Sequence, residues 1–321
     1  MTIDLSKLDN QHQLLFAVEL RPVQGQRFQP TYFPNLGHAV YDTPEGTCLL
    51  VESPQSMANR LETACWDEGT EDLIAPLRGL SYVRVERGGA YLTSSLQEAH
   101  RLNSAYIEHD ESFWASLVAA IGLDKDEKKR KLHPIPRKSF VEAVFKFDVG
   151  SLVHGVFLES IDGRLRIARS LSAFIEARGV NVAASGGAKV DRVQAVSTEG
   201  AGAKQGFGNV IFHREEFTAE GTALFANLDL AQIRGYGLNA NATRLLMVLS
   251  LFKLRALLDG KLRLRTACDF AVKSDPIISS NVEGFELPSR TELEADMKNA
   301  IPKCKAAFAG ENGVTTVTFQ A

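Results

Sequence analysis

Residues 179–217 read Gly-Val-Asn-Val-Ala-Ala-Ser-Gly-Gly-Ala-Lys-Val-Asp-Arg-Val-Gln-Ala-Val-Ser-Thr-Glu-Gly-Ala-Gly-Ala-Lys-Gln-Gly-Phe-Gly-Asn-Val-Ile-Phe-His-Arg-Glu-Glu-Phe. Asn181-Val182 and Asn209-Val210-Ile211-Phe212 have the composition of two strands. Between them glycine, alanine and a few cations dominate, and seven glycines stand from Gly179 to Gly208. Glycine permits backbone conformations and close approaches that side chains forbid. The stretch is therefore a long hairpin, either a solvated surface loop or an arm that lies against a ligand. The rest of the chain has to decide.

Upstream of the hairpin, Phe140–Phe147 and Ser151–Glu159 read as two strands. Gly163–Ala177 reads as a helix burying Leu165, Ala168, Leu171, Phe174 and Ile175, ringed by Arg164, Arg166, Arg169 and Arg178. Downstream, Ala223–Ile233 reads as strand and turn. Thr243–Leu258 is the strongest helical pattern, nearly all apolar, and Gly260 ends it. Lys261–Ala267 alternates as a strand with Lys261, Arg263 and Arg265 on one face. That face is either a binding surface or an exposed strand kept soluble by its cations.

At the start, Leu14–Leu20 is a buried strand stopped by Arg21-Pro22. Gln24–Gly37 carries two prolines and two glycines and is a loop bearing Arg27, Gln29 and aromatics. Thr47–Val51 is a second strand. Ser53 before Pro54 suits a helix N-cap, with Gln55, Asn59 and Glu62 on one side and Met57 and Leu61 on another. Residues 66–139 suit an insertion with helices over 96–107 and 111–121, the second with an apolar stripe. A charged linker at 124–131 and an extended His133–Pro136 follow. Near the end, Ser289-Arg290-Thr291-Glu292 is a capped helix start, and Thr315–Gln320 a closing strand. This order argues an α+β fold: one sheet with helices on one side, compatible with an RNA-recognition or ferredoxin-like core carrying insertions.

The 321 residues are 45% apolar and 23% charged, enough for one large domain or two. Four cysteines without a Cys-x-x-Cys pair argue against a zinc knuckle, a redox motif or a disulfide framework. The N-terminus lacks a signal-peptide pattern, and no apolar run approaches the roughly 20 residues of a membrane span. A soluble, cytoplasmic protein with no membrane partner is expected. Net charge is −3, yet residues 125–195 hold 14 Lys/Arg against 8 Asp/Glu, a local basic excess.

Catalytic constellations are missing. There is no Gly-x-Ser-x-Gly, no His-Glu-x-x-His and no phosphate-binding glycine loop ending in Lys-Ser/Thr. His109-Asp110 lacks the further ligands of a metal phosphohydrolase. His154 lies in an apolar strand-like run and reads as a core histidine. Asp191 lies in the hairpin and reads as a solvated aspartate. No catalytic residue, metal or cofactor is expected.

Five blocks carry a family resemblance: Arg27-Phe28-Gln29-Pro30-Thr31-x-Phe33-Pro34-x-Leu36-Gly37, Leu50-Val51-Glu52-Ser53-x-Gln55-Ser56-Met57-Ala58-Asn59-Arg60-Leu61-Glu62, His154-Gly155-Val156-Phe157-Leu158-Glu159, Gly206-Phe207-Gly208-Asn209-Val210 and Leu262-Arg263-Leu264-Arg265-Thr266-Ala267-Cys268-Asp269. Together they resemble the type I-G (formerly I-U) CRISPR-associated RAMP backbone subunit of the "Cas seven" superfamily, over essentially the whole chain. Tyr32 and Pro54 stand where the resemblance puts glycine and alanine. It implies an antiviral-defence subunit that polymerises along CRISPR RNA in a Cascade-like complex. Its partners would be the guide, the target DNA strand paired to it, other copies of itself and the other subunits.

The implied architecture is an RNA-recognition-like palm (1–65 and 140–321), a helical finger insertion (66–139) and a β-hairpin thumb (179–217) folded over the guide. A protein that holds any guide sequence must read phosphate and ribose, leaving base edges to the target strand. Arg27, Gln29, Gln55, Asn59, Arg60, Arg166, Arg169, Lys189, Arg192, Lys204, Arg263 and Arg265 are the RNA-contact candidates. The rival expectation is a RAMP endoribonuclease that cuts CRISPR transcripts with a histidine such as His154, or target RNA with a thumb aspartate such as Asp191.

Overall fold

Alternation along the first strand sets the sheet. The computed structural model describes residues 2–190, 208–260, 262–273 and 278–320. In it, β1 (Gln13–Pro22) buries Leu14, Phe16, Val18 and Leu20 on one face, as a half-covered strand does. β2 (Val40–Thr43) and β3 (Gly46–Glu52) form a hairpin. α1 (Pro54–Thr63) starts as the sequence predicts, with the Ser53 hydroxyl accepting the Ser56 N–H at 3.3 Å. The segment after it holds strands as well as helices: β4 (Trp66–Asp67), β5 (Asp72–Leu73), β6 (Tyr82–Arg87) and β7 (Ala90–Ser94), then α2 (Ala105–Glu108), α3 (Glu111–Ile121) and α4 (Glu127–Leu132). The helix expected over 96–107 shrinks to a 3-10 turn at Arg101–Asn103 and the short α2. Part of the charged linker is helical, because Asp126 caps α4.

Two expectations between 140 and 178 are overturned. Phe140–Phe147 lies in a helix, α5 (Arg137–Phe147), and residues 151–154 in another, α6 (Val149–His154). Phe140, Val141, Val144 and Phe145 recur at helical spacing and are all buried, and Asp148 caps α6 by accepting the Ser151 N–H at 3.3 Å. The expected helix over 163–177 is instead extended. β9 (Arg166–Ile167) pairs with β8 (Val156–Phe157), and β10 (Leu171–Arg178) turns Leu171, Ala173, Ile175 and Ala177 to the core. Phe174 faces away and stacks on Phe225 at 5.3 Å. Apolar residues on both faces of the strand imitate a helical repeat.

The hairpin forms as expected within the described residues. β11 (Asn181–Lys189) and β12 (Val210–Thr218) pair antiparallel from Asn181↔Thr218 to Lys189↔Val210, longer than the sequence suggests. The chain continues through β13 (Gly221–Asp229), α7 (Leu230–Gly235), the predicted long helix α8 (Ala240–Asp259), β14 (Leu262–Arg265), β15 (Cys268–Val272) and β16 (Ile278–Ser280). It ends with α9 (Arg290–Cys304), closed by the expected capping box of Ser289 and Glu292, and β17 (Val314–Thr318).

The main sheet runs β14-β15-β1-β13-β10-β3-β2, with β16 also on β1, and its pairs are antiparallel. Helix α8 packs against α1, α6, α7 and α9, while α1 and α6 lie on β10. The β11–β12 ribbon is inserted between the neighbouring strands β10 and β13. The last strand, β17, pairs parallel with β6, Val314↔Tyr82 to Thr318↔Glu86. Near the two ends of the main sheet, the loop after β1 draws the edges together. The Gln29 N–H donates to Ala267 O at 2.8 Å beside β15, and the Thr31 N–H donates to Val51 O at 3.1 Å on β3. The sheet is accordingly curled.

Candidate nucleic-acid interface

The loop after β1, the base of the hairpin and the β14–β15 turn meet in one groove of about 670 Å³, lined by Arg27, Arg214, Glu216, Arg263 and Asp269. The loop is anchored to the hairpin by two backbone hydrogen bonds: Phe28 N–H to Phe217 O at 2.9 Å and Phe217 N–H to Phe28 O at 2.8 Å. The buried Glu216 carboxylate then takes two guanidinium groups. Arg214 donates through Nε at 2.8 Å and its Nη2 lies 2.6 Å from the same oxygen, while Arg27 Nε lies at 3.6 Å with its side chain largely exposed. Across the groove, exposed Arg263 is 3.7 Å from Asp269, a loose surface pair of the kind worth little to stability. Three cations against two acids leave the groove net positive, with Arg27 and Arg263 open to solvent.

Beneath the groove lies a second assembly. Glu52, fully buried at the end of β3, accepts from Arg60 Nε at 3.1 Å, from the Ser56 hydroxyl and from Arg265 Nη2. Arg60 also donates to the carbonyls of Arg263 (3.3 Å) and Leu264. Arg265 Nη1 donates to Gln29 O at 3.1 Å and Val51 O at 3.2 Å. Beside it, burial pushes the Cys268 thiol up to about 12, keeping it protonated. The expected continuous basic face of residues 261–265 is therefore broken. The pairing register shifts between Arg263 and Arg265, which turns Arg265 inward as a structural group, and Lys261 lies outside the described residues.

The other candidates scatter. Gln55 and Asn59 are exposed on α1, and Lys189 is exposed at the outer end of the described ribbon. Arg166 sits over the Phe157 ring at 5.1 Å on the small β8–β9 sheet, and half-buried Arg169 lies next to Ser170, which bonds Val153; neither lines the groove. Arg192, Lys204 and Asp191 lie outside the described residues. Sequence reasoning missed Arg214. Its signal was the alternation of β12, which puts positions 214 and 216 on the same face.

A charged cluster also lies in the core. Glu62, expected on the open side of α1, is buried and holds Arg101 through two hydrogen bonds, Nε–Oε1 at 3.1 Å and Nη2–Oε2 at 2.8 Å. Arg101 adopts a positive φ of 50° to make them, a strained conformation for a residue with a side chain. Lys253 and Asp148 are buried nearby, and burial raises the carboxyls of both Glu62 and Asp148. His154, at the end of α6 and not in a strand, is 1% exposed, and neither ring nitrogen has a hydrogen-bond partner. Burial, with the positive charges of Lys253, Arg101 and Arg169, holds its imidazole well below the usual histidine range. A histidine so enclosed does not meet a substrate. Among the described residues no group of three or more His, Cys, Asp or Glu could hold a metal ion, and no described helix is long and apolar enough to cross a membrane.

Residues 14–182 match the family model described as CRISPR-associated protein GSU0053. No curated protein matches the sequence. Among solved structures, a chain from "CRISPR RNA-guided surveillance complex, pre-nicking" is 12% identical with a TM-score of 0.39, covering 92% of this chain and 89% of that one. The crystal structure of Thermofilum pendens Csc2 is 10% identical with a TM-score of 0.32, covering 96% and 80%. At these scores both likenesses are faint.

Proposed function

The chain belongs to the CRISPR-associated protein GSU0053 family, and on that footing we propose that it is a backbone subunit of a Cascade-like complex of the type I-G kind, lying along CRISPR RNA without reading its sequence. The observation that carries this reading is the groove at the hairpin base, where Arg27, Arg214 and Arg263 converge. Arginine forks suit phosphate, and a guide of arbitrary sequence must be held by its backbone. The order β15-β1-β13-β10, with helices over it, supports an RNA-recognition-like palm. The β11–β12 ribbon takes the part of the thumb, and residues 66–139 that of the fingers.

The ribbon leaves Val182, Val210, Ile211 and Phe212 exposed. An isolated two-stranded ribbon is marginal by itself, so it suits an arm completed by RNA and by a neighbouring copy of the chain. Repetition along one RNA also explains how a protein of net charge −3 can bind a polyanion, because each copy adds to the avidity of the array. The other complex subunits and the target DNA strand paired to the guide complete the set of partners. In this reading the subunit holds RNA and does not cut it.

Native mass spectrometry and gel shift of purified protein with CRISPR RNA test the reading. A regular array of copies on RNA is expected, and failure to form one, with or without the other subunits, rejects it. Labelled RNA incubated with wild type and Asp191→Ala separates the nuclease alternative: metal-dependent cleavage lost in the variant would establish it.

A further inference from the structure

Three rings form a ladder from the core to solvent on the other face of the hairpin base from the groove. Phe217 is buried at the base of β12. The His38 ring meets it edge-on, centroids 5.1 Å apart at 77°. The Tyr32 ring meets His38 in the same way at 5.3 Å, and Tyr32 is 62% exposed. The ladder is fixed from below. His38 Nδ1 lies 3.0 Å from Thr31 O, so that nitrogen carries the proton and donates to the carbonyl. The Thr31 N–H is tied to Val51, and a tight turn, Phe33 N–H to Gly37 O at 2.9 Å and Gly37 N–H to Phe33 O at 2.8 Å, holds the loop on the other side of Tyr32. A large ring held out to solvent on a braced backbone contributes little to folding. It has, however, already lost the freedom that a contact residue would lose on binding.

The position points to the occupant. Phe217 follows Glu216, the acid that holds Arg27 and Arg214, and Phe28 follows Arg27. Side chains alternate along a strand, so the groove cations and the aromatic ladder lie on opposite faces of the ribbon base, one residue apart. A single strand that wraps around that base would meet the cations on one face and Tyr32 on the other. We propose that Tyr32, packed edge-on against His38, stacks on a nucleobase of the bound RNA; the proposal rests on the RNA-backbone reading above. Stacking on an aromatic ring tolerates any base, because every base has a π-face, so the contact is compatible with guides of arbitrary sequence.

The test uses single-stranded RNA carrying 2-aminopurine, titrated with wild type, Tyr32→Phe, Tyr32→Ala and Tyr32→Leu. Wild type and Tyr32→Phe should bind alike and quench the 2-aminopurine. Tyr32→Ala and Tyr32→Leu should bind on the order of tenfold more weakly and lose the quenching, with the salt dependence unchanged because no charge has been altered. Leucine keeps apolar bulk without a π-face, so it separates stacking from simple packing. If both variants bind and quench like wild type while Arg27→Glu weakens binding, the platform is rejected and the RNA reading stands. If wild type binds no RNA, the reading beneath the proposal fails. If Tyr32→Ala impairs only self-association in the absence of RNA, the ring is a protein contact and the proposal is overturned.

Discussion

Arg265 and Glu52, 213 positions apart in the chain, are ion-paired beneath the groove, and the same guanidinium holds the carbonyls of Gln29 at 3.1 Å and Val51 at 3.2 Å. One is on β14 and the other on β3, near opposite ends of the sheet order. The pair therefore latches the curl of the sheet and sets the floor on which Arg27 and Arg263 stand. Removing one partner of a buried pair strands the other, at a cost of about 3–5 kcal/mol. Glu52→Ala should lose that much in urea denaturation. Arg265→Ala should lose less, because Arg60 still faces the carboxylate. Arg263→Glu should stay within about 0.5 kcal/mol of wild type, as exposed substitutions do. A Glu52→Ala protein as stable as wild type would show that the latch is not structural.

The groove should reveal itself in salt. Each cation that neutralises a phosphate of a single strand adds roughly 0.7 to the slope of log affinity against log salt. Arg27→Gln and Arg263→Gln should each lower the slope by about that amount and weaken binding to all RNA sequences alike. Fluorescence anisotropy at several salt concentrations measures it. A weakened affinity with an unchanged slope would mean that these arginines act on something other than phosphate.

Glu216 offers a test of opposite sign. By charge alone, Glu216→Gln removes a negative group from the proposed RNA-binding groove and should tighten RNA binding. The geometry indicates the reverse, because the carboxylate fixes Arg214 by a hydrogen bond from Nε and an ion-pair contact with Nη2, and lies 3.6 Å from Arg27. Loss of that alignment should weaken binding several-fold, since pre-positioned forks lose less freedom on binding. Tighter binding by Glu216→Gln would refute the positioning role.

His154 predicts a pH effect. Its folded pKa is depressed, so the unfolded chain takes up the proton first as pH falls below about 6.5. The stability this residue contributes is complete above that value and is lost on acidification, by at most about 1.4 kcal/mol per pH unit for one proton. Glu62 and Asp148 work in the other direction: their folded pKa values are raised, and the folded state gains relative stability as it is acidified through them. The difference between wild type and His154→Leu isolates the histidine. The variant should lose less stability than wild type between pH 7 and 5, and parallel profiles would contradict the assignment.

Elements with one clean period or a cap were legible in the sequence: β1, β3, α1 with its Ser53 cap, α8, α9 with its capping box, and the two arms of the hairpin. β10 was not, because Phe174 gives its outer face apolar character too. α5 and α6 were not, because β-branched and aromatic residues, which favour strands, sit there at helical spacing. Within the site, Arg27 was legible as a cation in a glycine- and proline-bearing loop and Arg263 from the alternation of the 261–267 strand. The inward roles of Glu52, Glu62 and Arg265 were not. A charged residue reads as exposed until a distant partner is known, and Glu62 finds Arg101 39 positions away. Arg214 hid among neighbouring acids.

The parallel pairing of β17 with β6 bears on the birth of the protein. Tyr82 is opposite Val314, so the small sheet waits until the chain has been synthesised as far as Val314. At typical elongation rates of about 5–20 residues per second, β6 and β7 spend on the order of ten seconds or more with one edge unmet. An open strand edge is a template for wrong pairing. The late arrival of β17 leaves this region open to capture by another nascent copy while it waits, a liability if the protein works, as proposed, by gathering many copies in one place.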